Sequence, residues 1–394
     1  MNNTYYSTTA KLLHWTIAGA IVLQFVLADL AERAGDADHA VQQLGLLANH
    51  KSVGITILVL AIVRIGWRLT HKPPPLPSAI PTWQVRASHL SHWSLYALIV
   101  AIPLSGWLMS SASAYSVSWF NLIQLPDFVA ADPELKKTLK EVHETLAKIL
   151  FLLALLHILA ALKHAVIDKD GVLQRMLSTV SLALFVIVIA LGVGVLGQAG
   201  KRSGDADNTT TASTPATAVQ SQSATISELP VWQIDYAKSY IHFTGDQAGA
   251  IFKGEWLSWS AELRFSADDL DSGLFDVTVN TAEVNTNDKD RDDVLSDPEW
   301  FDPRQYPQAY YRAASFSKNG DGSYNALGNL VVKGQSAPVV LKFTVEENDE
   351  QRVLLGHAEF LRLDLGIGVG EWEDTTWVEN EVRVDVRVEA SLLR

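Results

Sequence analysis

The chain has no cysteine among its 394 residues. That absence excludes covalent c-type haem attachment, thiolate-held iron–sulfur clusters and disulfides. Basic residues are in deficit, with Lys+Arg 31 against Asp+Glu 44 and a formal net charge of −13. The deficit is local. Residues 229–394 hold 15 basic and 30 acidic residues, so the first 228 sit near +2. An acidic soluble part argues against nucleic acid as a partner. The opening MNNTYYSTTAKLLHW lacks a basic region followed by a small-residue cleavage site, and reads as the lead-in to a retained first helix.

What residues 1–200 do have is long apolar runs. Uncharged length places five membrane helices, at about Leu12–Ala28, Ser52–Val63, Trp93–Val117, Thr145–Leu162 and Leu177–Gly197. The loop after the second holds Arg64, Arg68, Lys72 and Arg86, and the loop after the fourth holds Lys163, Lys169 and Arg175. The first loop on the other side is acidic, with Asp29, Glu32, Asp36 and Asp38, while Ser118–Lys140 is mixed and holds Lys136, Lys137 and Lys140. This balance predicts a cytoplasmic N-terminus, and an odd number of spans carries everything after Gly197 to the far side.

Histidine is the chemistry-bearing residue of this half. His143 and His157 lie 14 positions apart on the fourth helix. That spacing returns to within about 40° of one helix face and separates the two side chains by roughly 21 Å. An imidazole in hydrocarbon needs partners for its nitrogens, and ligation of haem iron supplies one. His50 matches His143 in depth, and His14 matches His157. Gly54, one turn after His50, would let a flat macrocycle approach the backbone. His89 and His92, at the entry to the third helix, compete with His14. No carboxylate or cysteine lies near enough in sequence to complete a transition-metal site instead. Arg64 and Arg68 read as positive-inside residues that haem propionates also attract. His164, near the cytoplasmic surface, suits a quinone headgroup, a propionate or plain solvation.

Residues 198–228 are rich in Ser, Thr, Ala and Gln and read as a flexible tether. From Leu229 the apolar period is two: Leu257, Trp259, Ala261, Leu263 and Phe265, then Phe275, Val277 and Val279, then Val339, Leu341 and Phe343, then Val382 to Val388. So many half-buried antiparallel strands predict a sandwich or closed barrel. The acidic run Asn287–Asp293 lacks EF-hand spacing and reads as solvated.

KLLHW, NHKSVGITILVLAIVRIGWRL, HLSHWSLYALIVAIPLSGWLM and HETLAKILFLLALLHILAALKHAVIDKDGVLQRML together resemble the bacterial cytochrome b561 family over about residues 5–178. The resemblance implies a four-helix di-haem b protein exchanging electrons with membrane quinone, similar in some members to a superoxide:quinone oxidoreductase. It carries His14 and His157 over to one haem iron and His50 and His143 to the other, and places His164 by the quinone. The fifth helix departs from the family pattern. WQIDYAKSYIHF, FDVTVNTAEVNTNDKDRDDVLSDPEWFDPRQYPQAYYRA and LGNLVVKGQSAPVVLKF resemble the YceI-like family, which implies a lipocalin-like all-β barrel around a polyisoprenoid chain such as a quinone tail. Its inward lipid-binding candidates are Phe252, Leu257, Trp259, Leu263, Phe265, Val332, Leu341 and Phe343.

The expected organisation is therefore an all-α di-haem transmembrane domain over 1–175, a fifth transmembrane helix over 176–197, a linker over 198–228 and a β-barrel over 229–394. The expected function is electron transfer between the periplasmic side and ubiquinone or another isoprenoid quinone in the bacterial inner membrane, with the barrel in the periplasm. The alternative is an isoprenoid-lipid binding or transfer module whose helices serve as a membrane anchor.

Overall fold

A computed structural model describes residues 5–37, 39–77, 80–199, 229–347 and 351–392. They form two compact units, one of helices and one of strands. The tether at 198–228 lies outside the described residues except for its first two, which close a helix.

The helical unit holds α1 (Thr8–Asp36), α2 (Ala40–Thr70), α3 (Thr82–Ala112), a short hairpin of β1 (Ser118–Trp119) and β2 (Ile123–Gln124), α4 (Pro133–Lys163) and α5 (Thr179–Ala199). The first four are long and apolar enough to cross a membrane. α1 packs on α2 and α5, and α3 packs on α4. Their shared core is small and aliphatic, including Ile17, Ala20, Ile57, Ala61, Ile99 and Leu150. The outer face of α4 is equally apolar, since Phe151, Leu152, Leu156 and Leu159 are exposed. A helix apolar on both faces suits lipid, where water does not sort inside from outside. α5 meets α1 at Gly19, where a Cβ would sit 3.2 Å from the Phe185 carbonyl oxygen.

Polar residues set the helix ends. The Ser7 hydroxyl accepts the Ala10 N–H to cap α1, and the Asp132 carboxylate accepts the Glu134 and Leu135 N–H groups to cap α4, with Pro133 as its first residue. α3 ends at Ala112, five residues before its expected limit. Ser111 and Ser113 donate to the Trp107 and Met109 carbonyls, and Ala114 turns left-handed at φ 52°. The chain then forms the β1–β2 hairpin, whose turn residues Phe120 and Asn121 have φ of 50° and 56°. A bulky residue at positive φ is strained and persists only where its surroundings hold it. Here buried Ser52 of α2 does so: its hydroxyl accepts the Phe120 N–H at 2.9 Å and lies 3.2 Å from the Ser118 carbonyl. Trp119 Nε1 donates to Thr56 on the same helix.

The second unit is one antiparallel sheet wrapped into a lipocalin-like half-barrel. Its strands are β3 (Trp232–Ile234), β4 (Tyr240–Gln247), β5 (Ala250–Trp256), β6 (Trp259–Ser266), β7 (Asp269–Asn280), β8 (Val284–Asn285), β9 (Gln308–Lys318), β10 (Tyr324–Val332), β11 (Gln335–Glu347), β12 (Arg352–Leu361) and β13 (Glu381–Leu392). They pair in the order β6-β7-β9-β10-β11-β12-β13-β4-β5-β8, with β3 on β13. One end of the interior is filled by an aromatic cluster. Phe265 lies 5.8 Å from Phe316, 5.0 Å from Tyr324 and 5.1 Å from Phe343, and Phe275 lies 4.9 Å from Phe316. Segments 281–307 and 362–380 cover the other end.

The acidic run is not simply solvated. It forms α6 (Lys289–Leu295), capped by buried Asp288, while Asp292 accepts both the N–H and the hydroxyl of Thr286. Arg291 is buried over the Phe252 ring at 4.1 Å. The ring over Arg291, Phe252, comes from β5, 39 positions away in sequence.

Candidate functional site

Three helices, α1, α2 and α4, bring the membrane histidines together in pairs. His14 of α1 faces His157 of α4 with ring centroids 6.3 Å apart and planes at 74°. His50 of α2 faces His143 of α4, also at 6.3 Å, with planes at 70°. A metal–imidazole bond of about 2 Å on each side, plus about 1.2 Å from each nitrogen to its ring centre, spans about 6.4 Å. Both pairs match that separation. Along α4 the two sites are about 21 Å apart by helical rise.

The surroundings of each ring were only partly legible in sequence. The His143 ring is fixed from α3: its Nδ1 lies 3.1 Å from the Ile102 carbonyl and 3.1 Å from the Ser105 hydroxyl, which itself donates to Ile102. A backbone carbonyl taking the Nδ1 proton leaves Nε2 free to ligate, the arrangement metal-bound histidines adopt. Gly106 makes room for the ring, since a Cβ there would fall 3.0 Å from Cε1. The sequence signal was the run Pro103 to Gly106 inside an apolar helix. His50 Nδ1 is buried without a partner, and Gln24 Nε2 donates to the His50 carbonyl. That Gln24 amide lies where a Cβ of Gly54 would meet it at 3.0 Å, so Gly54 faces a side chain of α1.

At the other pair, Arg64 Nη2 lies 3.2 Å from His14 Nδ1. A guanidinium only donates, so Nδ1 is the acceptor there. Iron on Nε2 of a neutral imidazole needs the proton on Nδ1, so that contact and ligation exclude each other. Ligation would release Arg64 for a carboxylate such as a propionate. Of the two competitors, His89 is exposed on α3. His92 does approach His157, with ring centroids 5.2 Å apart and its Nδ1 2.7 Å from the Ser88 carbonyl. That is about 1 Å closer than an iron between two imidazoles requires.

His164 sits where α4 passes into a π-helical turn, His164–Asp168. Its Nδ1 lies 2.6 Å from an Asp170 oxygen and 3.2 Å from Asp168, which Lys163 also contacts at 2.5 Å. The ring therefore presents Nε2. The acids that orient it follow it in sequence by four and six residues.

Inside the barrel lies a cavity of about 180 Å³. Phe252, Trp259, Leu263, Val332 and Leu341 line it, as expected. Three candidates lie elsewhere. Leu257 is 58% exposed, because β5 ends at Trp256 and the residue falls in the turn rather than in the alternation. Phe265 and Phe343 belong to the aromatic cluster that fills the closed end. Arg362 is a wall residue that the pattern did not reveal. It is 1% exposed, burial pulls its pKa down, and its guanidinium donates to the carbonyls of Ile367, Gly368, Trp372, Val378 and Glu379.

Comparison with known proteins agrees with this division. A family model described as prokaryotic cytochrome b561 matches residues 5–179, and one described as a YceI-like domain matches residues 232–390. Cytochrome b561 homolog 2 of Escherichia coli (strain K12) is 37% identical over 129 residues, 32% of this chain and 68% of the relative. A protein of Yersinia pestis named probable superoxide oxidase CybB is 33% identical over 172 residues, 44% of this chain and 95% of the relative. Among solved structures, Burkholderia cenocepacia BcnA is similar with 28% identity and a TM-score of 0.39, covering 40% of this chain and all of that one.

Proposed function

Residues 5–179 make this chain a member of the prokaryotic cytochrome b561 family, and from that premise we propose that it is a membrane di-haem b cytochrome passing electrons between the periplasmic side and membrane quinone. The family brings b-type haem, and the C-terminal half is a YceI-like domain. The number of haems and their ligands are our reading. The observation that carries it is the twice-repeated 6.3 Å separation of facing histidines along one helix.

On this reading His14 with His157, and His50 with His143, would hold two haem irons. Held by two histidines each, the haems would supply one-electron transfer. The chain's own residues do the rest. Ile102 and Ser105 hold the His143 Nδ1, Arg64 would meet a propionate carboxylate once released from His14, and apolar helix faces exclude water. His164 presents its Nε2 to the quinone oxygen, with Asp168 and Asp170 holding the ring by its Nδ1. A superoxide donor, the substrate class named for the Yersinia relative, balances as two superoxide anions, one quinone and two protons giving two dioxygen molecules and one quinol. Lys137 and Lys140, exposed early in α4 ahead of His143, offer local attraction to such an anion. α5 is the fifth crossing, and it delivers the barrel to the periplasm, where the apolar cavity holds an isoprenoid lipid such as quinone. The cavity exceeds the ~150 Å³ dry cavity that takes a benzene ring. A long chain therefore enters only as wall side chains rotate aside.

The test is haem content and the reduced-minus-oxidised spectrum of the purified protein. Two b haems per chain, both oxidised by a soluble quinone, are expected. A chain that purifies without haem overturns the reading and leaves a lipid-binding module with a membrane anchor.

A further inference from the structure

The barrel cavity has a direction. Its wall is apolar along β6, β7, β11 and β13, and it stops at the aromatic cluster of Phe265, Phe316, Tyr324 and Phe343. Glu379, the exposed residue of the wall whose side chain is not on the outer face of a strand, lies at the opposite end, the end that segments 281–307 and 362–380 cover; Tyr310 is there too but faces outward from β9. Most of the wall's polar groups gather at that same end.

Two of these groups are unsatisfied. Trp256 and Trp300 line the cavity, are 9% and 8% exposed, and each has a buried indole N–H without a hydrogen-bond partner. A buried donor left unpaired is costly, and an indole N–H can only donate. Trp232 Nε1 is unpartnered too, but that residue is not on the cavity wall. The third group is Arg362, which stands 5.6 Å from the Trp300 ring. All five of its N–H groups are taken by carbonyls and none by a carboxylate, while the nearby Glu373 carboxylate acts on its charge without a hydrogen bond. The guanidinium's own field disfavours a cationic head and favours oxygen carrying partial negative charge. Two guanidinium groups, Arg362 and Arg291 over the Phe252 ring, are met at this end by three carboxylates, Asp246, Glu373 and Glu379, so a full anion finds no net positive site there.

We infer that the barrel takes its ligand tail first and holds an uncharged, carbonyl-bearing head against Trp256 and Trp300, selecting quinone-type lipids over bare hydrocarbons and over prenyl or alkyl phosphates. This deepens, and rests on, the reading that the barrel holds a lipid. It assigns the two indoles as specificity determinants.

The experiment uses the full-length protein in detergent and three probes with one tail: decyl-benzoquinone, phenyldecane and decyl phosphate. Binding is measured by equilibrium dialysis. The barrel's share, as distinct from any site among the helices, is the part lost when Val384→Trp fills the cavity. Within that share the quinone should bind at least about fivefold more tightly than phenyldecane, and more tightly than the phosphate. Trp256→Phe and Trp300→Phe remove the N–H and keep an aromatic ring. Each should weaken quinone binding about fivefold, the size of one neutral hydrogen bond, and leave phenyldecane unchanged. Unchanged phenyldecane binding also shows that the variant barrels are folded. Equal binding of all three probes, preference for the phosphate, or variants that keep wild-type quinone affinity would overturn the inference while leaving lipid binding in place. No barrel share for any probe overturns the lipid reading and the inference with it.

Discussion

At the scale of single residues, the strongest consequence of the pairing is that it can be broken one site at a time. His14→Ala and His157→Ala should each remove the same haem and spare the other, and His50→Ala and His143→Ala should remove the second. Haem quantification with spectra at low temperature distinguishes the two. Loss of opposite haems by His14→Ala and His157→Ala would reject the assignment, and retention of both haems in His14→Ala would point to His92, 5.2 Å from His157. Gly106→Val should act like His143→Ala, because its side chain would enter the space of the His143 ring. The histidines themselves were legible in the sequence, since an imidazole in an apolar run calls for a partner. Their supports were not. Ser105 reads as a small polar residue in a membrane helix, and only the approach of α3 to α4 brings it to His143. Arg64 read as a topology signal, and its contact with His14 spans 50 positions that no periodicity reports.

At the scale of elements, the β1–β2 hairpin is the piece that the sequence hid. Ser118–Gln124 contains Trp119, Phe120, Leu122 and Ile123 but read as part of a mixed loop, and the uncharged run Trp93–Val117 carried the expected third helix to Val117. The serine-rich end of α3 and the left-handed Ala114 override that pattern. Ser52 then matters beyond its size. Ser52→Ala leaves the Phe120 N–H without its acceptor, a loss of about 1–3 kcal/mol for a buried donor. Hydrogen exchange of residues 118–124 should accelerate by about tenfold or more, with the haem spectrum unchanged. Exchange at the wild-type rate would show that the strained turn holds itself. In the barrel, five of the eight inward candidates line the cavity, because inward and outward positions differ in polarity. It failed at Leu257, where a turn breaks the period, and it could not separate cavity wall from end cluster at Phe265 and Phe343. Both sets are apolar and inward, and only their height along the strand differs.

At the scale of the molecule, the absence of cysteine becomes an experimental asset. Single cysteines can be placed without background, at exposed Tyr310 in the barrel and at exposed His71 just past α2. In intact cells a membrane-impermeant maleimide should label Tyr310→Cys and spare His71→Cys until the membrane is opened. The reverse pattern would invert the orientation that the lysine and arginine balance predicts. The closed end of the barrel carries one more consequence. A tube with a single mouth is a vessel and not a conduit: what goes in last comes out first, through the same opening. A second lipid cannot push the first out from behind. Off-loading should therefore be first order, with a rate independent of how much competing lipid is present outside. A lipid held there is delivered only when its head, the part nearest the opening, lets go.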